Sequence, residues 1–384
     1  MGMLPSSPGH RPTRAVVDLA AWRHNLQAVK NRIGPDSGQF AIVKADAYGH
    51  GMVQLAREAV RWGVQALGVA TADEALCLRE TAGLETIPIL VMGPTYPEDA
   101  EALVKAHVAA AIGTLPLLRE HLRVGRELGI TPSIHLKVDT GMGRYGFKPE
   151  ALTFLDLFAA MPEALEGLMT HFSVSDERNK ESTAYTKWQL ERFLAVRDRL
   201  VKAGLKPICH AANSGATLYH PDAYLDIVRP GIMTYGANPE PADGIVDDLE
   251  PVMTLASEVI VIHEHDKGDD ISYGRTFTMP RDGRVGILPL GYGDGWFRLL
   301  SNQAEVLVRG RRAPIIGRVC MDQTMIDLTE VPEARPGDEG VLVGRQGDER
   351  ISLEELAVKA KTIPYEITCH LTPRVPRVHI DSEA

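Results

Sequence analysis

FAIVKADAYGHG, residues 40–51, begins as an apolar strand and ends in a polar turn. The apolar run from Phe40 to Val43 predicts a buried strand, and Lys44 follows at its carboxyl end. Burial disfavours the charged form of a lysine, so such an amine loses its proton more readily than a surface amine. A neutral amine can form an imine with a carbonyl compound. Taken alone, Lys44 is better explained as a surface lysine at a strand edge, and only the rest of the chain reverses that interpretation.

Strands of the same kind recur through the first part of the chain and alternate with amphipathic helical segments. The predicted strands are Ala15–Leu19, Phe40–Val43, Ala66–Ala70, Ile87–Met92, Ala109–Ile112, Ile134–Val138, Gly167–His171, Ile208–His210 and Ile227–Val228. The predicted helices include Ala20–Arg32, Val53–Trp62, Asp73–Thr81, Pro116–Leu128 and Thr186–Ala203. This alternation is typical of a parallel sheet covered on both faces, and about eight βα units in roughly 225 residues fit a closed (β/α)8 barrel. The first strand, Ala15–Leu19, lies outside that count.

The pattern changes after a turn-rich segment at residues 237–244, beyond which strands dominate. These strands are predicted at Ala256–His263, Arg284–Pro289, Ala304–Val308, Ala313–Ile316, Thr324–Asp327 and Glu339–Val343. A helix at Leu353–Lys361 interrupts them, with Ser352 as its N-cap and Glu355 completing a capping box. We therefore predict an α/β fold with a disordered tail (1–12), an N-terminal (β/α)8 TIM-like barrel (13–243) and a C-terminal, mainly antiparallel β domain (244–384).

Composition restricts the classes of function. The 384 residues carry 51 acidic and 41 basic side chains, a formal charge of −10, which argues against a nucleic-acid-binding protein. No apolar run reaches the length of a membrane span, and residues 1–14 lack the apolar centre of a signal peptide. The four cysteines are scattered without a CxxC pair, so we predict neither a metal site nor a disulfide framework. Reduced thiols fit a cytoplasmic protein.

Five polar residues share a position at, or just after, the carboxyl end of a predicted strand: Lys44, Arg144, His171, Ser214 and Arg229. Each alone has an ordinary explanation, such as a surface charge, a core histidine or a helix N-cap. In a barrel, however, the carboxyl ends of the strands form one face, and the active sites of barrel enzymes lie there. The shared placement therefore predicts a site at that face.

The chain resembles the alanine racemase family, fold-type III enzymes that depend on pyridoxal phosphate, from about Arg14 to Arg377. The motif most specific to this family is VKADAYGHG at residues 43–51. Further motifs follow in family order: LKVDTGMGR (136–144), THF (170–172), NS (213–214), RPGI (229–232), YGRT (273–276), GY (291–292) and CMDQ (320–323). The resemblance implies that pyridoxal 5'-phosphate is held covalently by Lys44.

The resemblance also implies the remaining cofactor contacts. The residues that would make these contacts are Tyr48, His171, Asn213, Ser214, Arg229, Gly231 and Ile232. The start of a helix at Ser214 suits the phosphate, because a hydroxyl and backbone amides meet there. Arg229 would face the pyridine nitrogen, and a permanently protonated guanidinium can only donate, so that nitrogen would stay unprotonated. The alternative for Arg229 is an ordinary salt bridge to Asp226.

Racemisation needs acid/base groups on both faces of the α-carbon, and the resemblance assigns them to Lys44 and Tyr273. A tyrosine ordinarily loses its proton only near pH 10, so we expect a cationic network through His171 and Arg229 to assist. In the family this tyrosine comes from the other subunit, which implies a homodimer whose β domain completes the partner's site. The alternative is a hairpin tyrosine that packs on a strand face.

The resemblance assigns the substrate pocket as well. Arg144, Met321, Asp322 and Tyr292 would bind the amino acid, Lys137 occupies a position that many members carbamylate, and Asp176, Arg298 and Arg318 would line the entrance. One departure from the family is Pro373, where many relatives have a tyrosine that binds phosphate and narrows the entrance. Proline has neither a hydroxyl nor a backbone donor, which weakens a prediction of strict alanine specificity.

The sequence thus predicts an amino-acid racemase, specifically an alanine racemase that supplies D-alanine for cell-wall peptidoglycan. Three alternatives remain: a broader racemase acting on serine or lysine, a basic-amino-acid decarboxylase, and a non-catalytic pyridoxal phosphate carrier. Arg229 and Tyr273 argue against the decarboxylase, and the long segment after residue 236 argues against a single-domain carrier.

Overall fold

A computed structural model describes residues 11–81, 83–151, 153 and 155–382. The chain packs as two compact units. The barrel unit comprises Leu26–Ala47 and Met52–Thr234, and the β unit comprises residues 11–25, Tyr48–Gly51 and the described residues from Tyr235 onward. Residues 1–10 of the predicted tail lie outside the described residues, whereas Arg11, near the end of that predicted tail, is placed and donates to Asp294 in the β unit.

Parallel strands form the barrel unit, and the described residues contain eight of them in one sheet. They are Gly38–Ile42, Ala66–Val69, Ile89–Val91, Ala109–Ile112, Ile134–Lys137, Leu165–Met169, Ile208–His210 and Ile227–Val228. The last strand pairs in parallel with the first, since Gly38 lies opposite Ile227. Backbone hydrogen bonds from Asp226 to Cys209 (3.1 Å) and from Arg229 to Ala212 (2.9 Å) link it to the strand before it. This closed parallel arrangement confirms the predicted TIM-like barrel.

Helices alternate with these strands. Their bounds are Leu19–Ile33, Lys44–Gly49, Met52–Trp62, Ala72–Arg79, Ala100–Lys105, Leu115–Leu128, Lys180–Lys202 and Ser214–Tyr219. The helix Lys180–Lys202 begins earlier than predicted, because the side chain of Asn179 caps it by accepting the backbone N–H of Ser182 at 2.9 Å. The apolar strands are buried almost throughout, as at Ala66–Val69 and Ala109–Ile112, which the covered faces of a parallel sheet require.

The β unit contains mainly antiparallel strands, which confirms the second part of the predicted fold. They are Arg14–Asp18, Met253–Glu258, Val261–His265, Asp270–Ile271, Phe277–Thr278, Gly283–Leu288, Glu305–Val308, Arg311–Pro314, Thr324–Asp327, Glu339–Gln346, Glu349–Ile351 and Arg377–Ile380. Arg14–Asp18 pairs antiparallel with Met253–Glu258 and parallel with Arg377–Ile380, so the first strand belongs to this sheet.

Two local predictions in the β unit need correction. The strand predicted at Ala256–His263 is two strands that separate after Glu258 and pair in different sheets. The helix Leu353–Ala360 is capped by Ser352, whose Oγ accepts from the N–H of Glu355 at 3.1 Å. The Glu355 carboxylate does not close the predicted box but accepts hydrogen bonds from Arg312 and Lys359. In the part of the chain that the structure describes, no helix is long and apolar enough to cross a membrane.

Candidate active site

Lys44 follows the strand Gly38–Ile42 and opens a short helix of unusual hand. Residues 45–48 all have φ between +51° and +54°, and Gly49 has φ +82°. Left-handed helical backbone costs non-glycine residues about 1–2 kcal/mol each, so four such residues in a row are held by their surroundings. The N–H of Ala47 bonds to the carbonyl of Val43 at 2.8 Å. The strained turn therefore fixes the backbone immediately after Lys44, a feature that the sequence did not suggest.

A cavity of about 430 Å³ lies at the carboxyl end of the barrel strands. It is lined by Lys44, Ala70, Met92, Gly93, Pro94, Lys137, Arg144, Tyr145, Met169, His171 and Arg229. The structure thus brings together four of the five residues that we predicted from their shared strand-end position, and it adds Lys137. Five of the lining side chains are basic (Lys44, Lys137, Arg144, His171 and Arg229), so the cavity suits an anionic ligand.

Arg229 is almost fully buried at the base of this cavity (4% exposed) and is held by protein acceptors. Its Nη2 donates to the carbonyls of Thr170 (2.6 Å) and Ala211 (3.0 Å). Its Nη1 lies 2.7 Å from Nδ1 of His210. Burial lowers the pKa of Arg229 to about 9, which still leaves it protonated at neutral pH. The alternative, a salt bridge to Asp226, is not among these contacts of the guanidinium, and the Asp226 carboxylate accepts the N–H of Cys209 at 2.6 Å.

Two buried histidines that the sequence did not reveal continue this network. His210 Nε2 lies 2.7 Å from Nδ1 of His135. Because a guanidinium can only donate, Nδ1 of His210 must accept from Arg229, and its Nε2 must donate to His135. Burial and the charge of Arg229 lower the pKa of His135 to about 3 and hold that of His210 well below 6.5. Both rings are therefore neutral, and they orient the guanidinium without adding charge.

His171 and Lys137 are perturbed by the same cations. Burial, followed by Arg229 and Arg144, holds the pKa of His171 well below its ordinary value. The imidazole is therefore neutral near pH 7, which corrects our expectation that His171 takes part in a cationic network. Burial lowers the pKa of Lys137 to about 7, and the nearby Arg229 acts in the same direction. Near neutral pH a large fraction of Lys137 therefore carries a free amine.

A tight loop presents Arg144 to the cavity. The carboxylate of Asp139 accepts the backbone N–H groups of Gly141 (3.1 Å) and Gly143 (3.0 Å) and so folds the loop on itself. The next residue, Tyr145, is anchored by its hydroxyl, which accepts the N–H of Gly113 at 2.9 Å. Its ring centroid lies 5.3 Å from Nζ of Lys137, within range of a cation–π contact. Sequence reasoning missed Tyr145, since only the fold places it beside Lys137.

The short helix Ser214–Tyr219 begins with the hydroxyl predicted for phosphate. Ser214 is 2% exposed, and its Oγ accepts the N–H of Gly231 at 2.8 Å. Asn213 is the N-cap, since its Oδ1 accepts the N–H of Ala216 at 3.0 Å. The hydroxyl of Ser214, the backbone at Gly231 and the buried Ile232 therefore lie together, as predicted. Asp176 packs beside them, because a Cβ on Gly215 would contact its backbone N at 2.6 Å.

Tyr48 belongs to the β unit and is buried in a group of aromatic side chains. Its ring centroid lies 4.8 Å from that of Tyr235 and 5.8 Å from that of Tyr365. Burial, then Tyr365, raises the pKa of Tyr48 well above 10, so its hydroxyl stays protonated and remains a hydrogen-bond donor. The following Gly49 is required sterically, since the carbonyl of Thr368 occupies the space that a Cβ would need.

Tyr273 also lies in the β unit, on a short turn after the strand Asp270–Ile271, and is 72% exposed. Ser272 has φ +68° and donates from its Oγ to the carbonyl of Arg318 at 2.6 Å. The guanidinium of Arg318 packs on Gly274, because an added Cβ would lie 3.2 Å from its Cζ. The structure thus places the predicted base and one predicted entrance residue side by side.

The remaining predicted substrate residues are joined through their backbones. The N–H of Tyr292 donates to the carbonyl of Cys320 at 3.0 Å, and that of Gly293 donates to the carbonyl of Met321 at 2.8 Å. Tyr292 (43%) and Met321 (52%) are exposed. Arg298 is exposed on the next short helix, Arg298–Leu300.

Pro373 is exposed between Thr372, whose N–H donates to the carbonyl of Asp294 at 3.0 Å, and Arg374. Arg374 donates to the carboxylate of Asp322 at 2.7 Å. The segment is therefore bonded to Asp294 before the proline and to Asp322, a predicted substrate residue, after it. At position 373 the segment therefore has the ring of a proline and no hydroxyl group.

Comparison with known proteins gives one consistent result. The family model "Alanine racemase, N-terminal domain" matches residues 17–239, and "Alanine racemase, C-terminal domain" matches residues 252–379. An alanine racemase of Halothermothrix orenii is 44% identical over 371 residues, which cover 96% of this chain and 96% of that protein. One of Symbiobacterium thermophilum is 43% identical over 374 residues, with 97% and 98% covered.

Solved structures agree with these sequence relatives. The alanine racemase of Streptomyces coelicolor superposes with a TM-score of 0.91 at 37% identity, covering 97% of this chain and 98% of that one. The alanine racemase of Bacillus anthracis with bound L-Ala-P superposes with a TM-score of 0.89 at 39% identity, covering 98% and 97%.

Proposed function

The chain belongs to the alanine racemase family, and on that premise we propose that it interconverts L-alanine and D-alanine with pyridoxal 5'-phosphate as cofactor. The main support for this proposal is the cavity at the carboxyl end of the barrel strands, which is lined by Lys44, Arg144 and Arg229. The cavity volume of about 430 Å³ lies in the range of pockets that bind cofactors and small ligands.

The donors in the barrel unit fit pyridoxal phosphate. Lys44 would hold the cofactor through its amine. The hydroxyl of Ser214 and the N–H of Gly231 bond to each other at 2.8 Å here, and both would turn to the phosphate, because hydroxyl and amide donors suit an anion. We assign further phosphate contacts to Tyr48, Asn213 and Ile232. When bound, the cofactor supplies a conjugated ring that stabilises negative charge at the α-carbon.

We assign Arg229 to the ring nitrogen of the cofactor. Three protein acceptors fix its guanidinium, and the neutral His210 sets its orientation. Because Arg229 stays protonated, it presents only hydrogen to that nitrogen and so disfavours a pyridinium. A ring that withdraws fewer electrons limits side reactions, in keeping with racemisation rather than decarboxylation.

Lys44 and Tyr273 are our candidates for the two bases that move the α-proton on opposite faces. A rigidly held α-carbon needs a group on each face, because one base cannot readily serve both. Tyr273 is 72% exposed in the single chain, and Leu299 (63%) and Met321 (52%) expose apolar surface in the same unit. An exposed hydroxyl cannot act as a base in a water-excluding site, so Tyr273 needs a second surface to cover it. We therefore propose a homodimer in which the β unit of one subunit completes the site of its partner.

The substrate carboxylate is assigned to Arg144 and to the backbone of Met321, with Tyr292 and Asp322 nearby. Lys137 lines the same cavity, and its pKa of about 7 leaves much of its amine unprotonated near neutral pH. The unprotonated amine is the form that reacts with carbon dioxide to give a carbamate. A carbamate on Lys137 would carry a negative charge where the protonated lysine carries a positive one. That negative charge would attract the nearby Arg144 and hold it in place. We propose that modification here. His171, Asp176, Arg298 and Arg318 would shape the approach to the site.

The biological role that we propose is the supply of D-alanine for peptidoglycan in the cytoplasm. All four cysteines are free in the structure, which supports a reducing compartment. No nucleic acid or membrane partner is proposed.

A broader specificity remains the second candidate, and Pro373 is the observation that favours it, because the gate hydroxyl of many relatives is missing. Initial rates of racemisation with L-alanine, L-serine and L-lysine, with decarboxylation followed in parallel, decide among the candidates. We expect alanine to be turned over fastest and serine measurably. Lysine decarboxylation without alanine racemisation would refute the proposal. Pro373→Tyr should shift the ratio of rates toward alanine.

A further inference from the structure

A buried carboxylate, Asp294, joins the N-terminal arm of the β unit to the substrate residues of that unit. The side chain of Asp294 is 0% exposed and accepts hydrogen bonds from Nη1 and Nη2 of Arg11, both at 2.6 Å. Arg11 also donates to the carbonyl of Pro289 at 2.7 Å. A two-point guanidinium–carboxylate pair has a fixed geometry, and a buried carboxylate that loses its partner is strongly disfavoured.

Asp294 in turn holds the turn at residues 291–295 and the C-terminal segment beside it. Its Oδ2 accepts the N–H of Gly291 at 2.9 Å, and its carbonyl accepts the N–H of Thr372 at 3.0 Å. Tyr292 lies inside this turn, and the backbone of the turn is bonded to that of Met321. A change in the position of the Asp294 carboxylate is therefore transmitted to Tyr292 and Met321 through these backbone hydrogen bonds.

Arg374 is the second cation on Asp294, and it does not replace Arg11. Its Nε lies 3.2 Å from Oδ1 of Asp294, and its Nη2 donates to Asp322 at 2.7 Å. The side chain of Arg374 is 46% exposed and shared between two carboxylates. Exposure to solvent and the competing ion pair with Asp322 both weaken the interaction of Arg374 with Asp294. Arg11 therefore supplies most of the fixed geometry at this carboxylate.

We propose that Arg11 is a positioning residue, which fixes Tyr292 and Met321 for substrate binding through its pair with Asp294. The inference rests on the proposed function, in which these two residues line the substrate pocket. Arg11 is linked to them through Asp294. It acts through the backbone of the turn.

The arm itself does not need Arg11 for its attachment. The strand Arg14–Asp18 is paired on both edges, and Thr13 bonds to Ser257 at 2.8 Å and to the carbonyl of Pro289 at 2.9 Å. Loss of Arg11 should therefore leave the strand in place and change the turn. This separates a positioning role from a general role in folding.

The test compares Arg11→Met with Arg23→Met in the cofactor-loaded enzyme. Arg23 is the matched control, because it makes a two-point pair with Asp381 at 2.7 and 3.0 Å on the exposed surface. We expect Arg11→Met to raise KM for alanine about tenfold while kcat changes less than about threefold, as expected when one charged hydrogen-bonded partner is lost from a buried group. Arg23→Met should change neither constant, and Arg11→Lys should recover part of the loss in KM.

A second readout does not depend on turnover. Hydrogen exchange followed by mass spectrometry should show faster exchange in peptides covering residues 289–296 for Arg11→Met and unchanged exchange for Arg23→Met. Unchanged KM together with unchanged exchange at residues 289–296 would overturn the inference. A fall in melting temperature without a change in either readout would overturn it as well. Lack of alanine turnover in the unsubstituted enzyme would refute the proposed function, while the exchange experiment would still decide the role of Arg11.

Discussion

The left-handed turn after Lys44 leads to an unusual expectation for a glycine substitution. Ala45 has φ +52° and its side chain is exposed, so its methyl group contributes strain and little packing. Ala45→Gly removes about 1–2 kcal/mol of left-handed strain and costs about 0.5–1 kcal/mol through the greater freedom of glycine in the unfolded chain. We therefore expect Ala45→Gly to stabilise the folded protein by about 0.5–1 kcal/mol.

Ala184 provides the matched control, since it is an exposed alanine inside the helix Lys180–Lys202. There the ordinary helix propensity applies, and Ala184→Gly should destabilise by about 1 kcal/mol. The two substitutions are chemically identical and should differ in sign.

The measurement is the melting temperature of each variant, at one protein concentration, with and without bound cofactor. Ala45→Gly should melt above the parent protein and Ala184→Gly below it. Equal losses in the two variants would mean that residues 45–48 are not held in a left-handed helix, and the account of the turn would be wrong.

Three further outcomes follow from the barrel unit. Borohydride reduction of the yellow holoenzyme, followed by peptide mapping, should label Lys44, and a label on another lysine would remove it from its assigned role. Arg229→Glu should slow racemisation by about tenfold or more and increase side transamination. Arg229→Lys keeps the positive charge and should retain more activity. Equal rates of racemisation in the two variants would contradict the electronic role of Arg229. With 13C-bicarbonate, the carbamate signal of Lys137 should grow as pH rises through about 7, because the amine loses its proton there, and Lys137→Met should abolish it; a pH-independent signal would contradict the assignment.

Much of the barrel could be predicted from the sequence, because its strands are short apolar runs bounded by polar residues. The predicted strands Ala109–Ile112, Ile208–His210 and Ile227–Val228 have the same bounds in the structure. The break between Glu258 and Val261 could not, since the apolar pattern runs through it without a turn signal.

The predicted site residues came from strand-end position and from family resemblance, and their neighbours were harder to find. Nothing in the sequence near His135 or His210 indicates that they orient Arg229, because that contact arises only when the barrel closes. The same is true of Arg11, which lies 283 residues from Asp294 in the chain. The left-handed turn was missed for a different reason: alanine disfavours that conformation, so local propensity predicts the opposite hand.

The central claim is that Lys44 and Tyr273, from two different subunits, act on one substrate. Lys44→Ala and Tyr273→Ala proteins should each be inactive, and Tyr273→Ala should still bind the cofactor because Lys44 is intact. A mixed dimer would contain one site with both substitutions and one intact site, so refolded mixtures should recover part of the activity. Racemase activity of such mixtures, measured after subunit exchange has been demonstrated, is the most direct test. Partial recovery is the predicted result, and no recovery would place both residues in one chain and contradict the shared site.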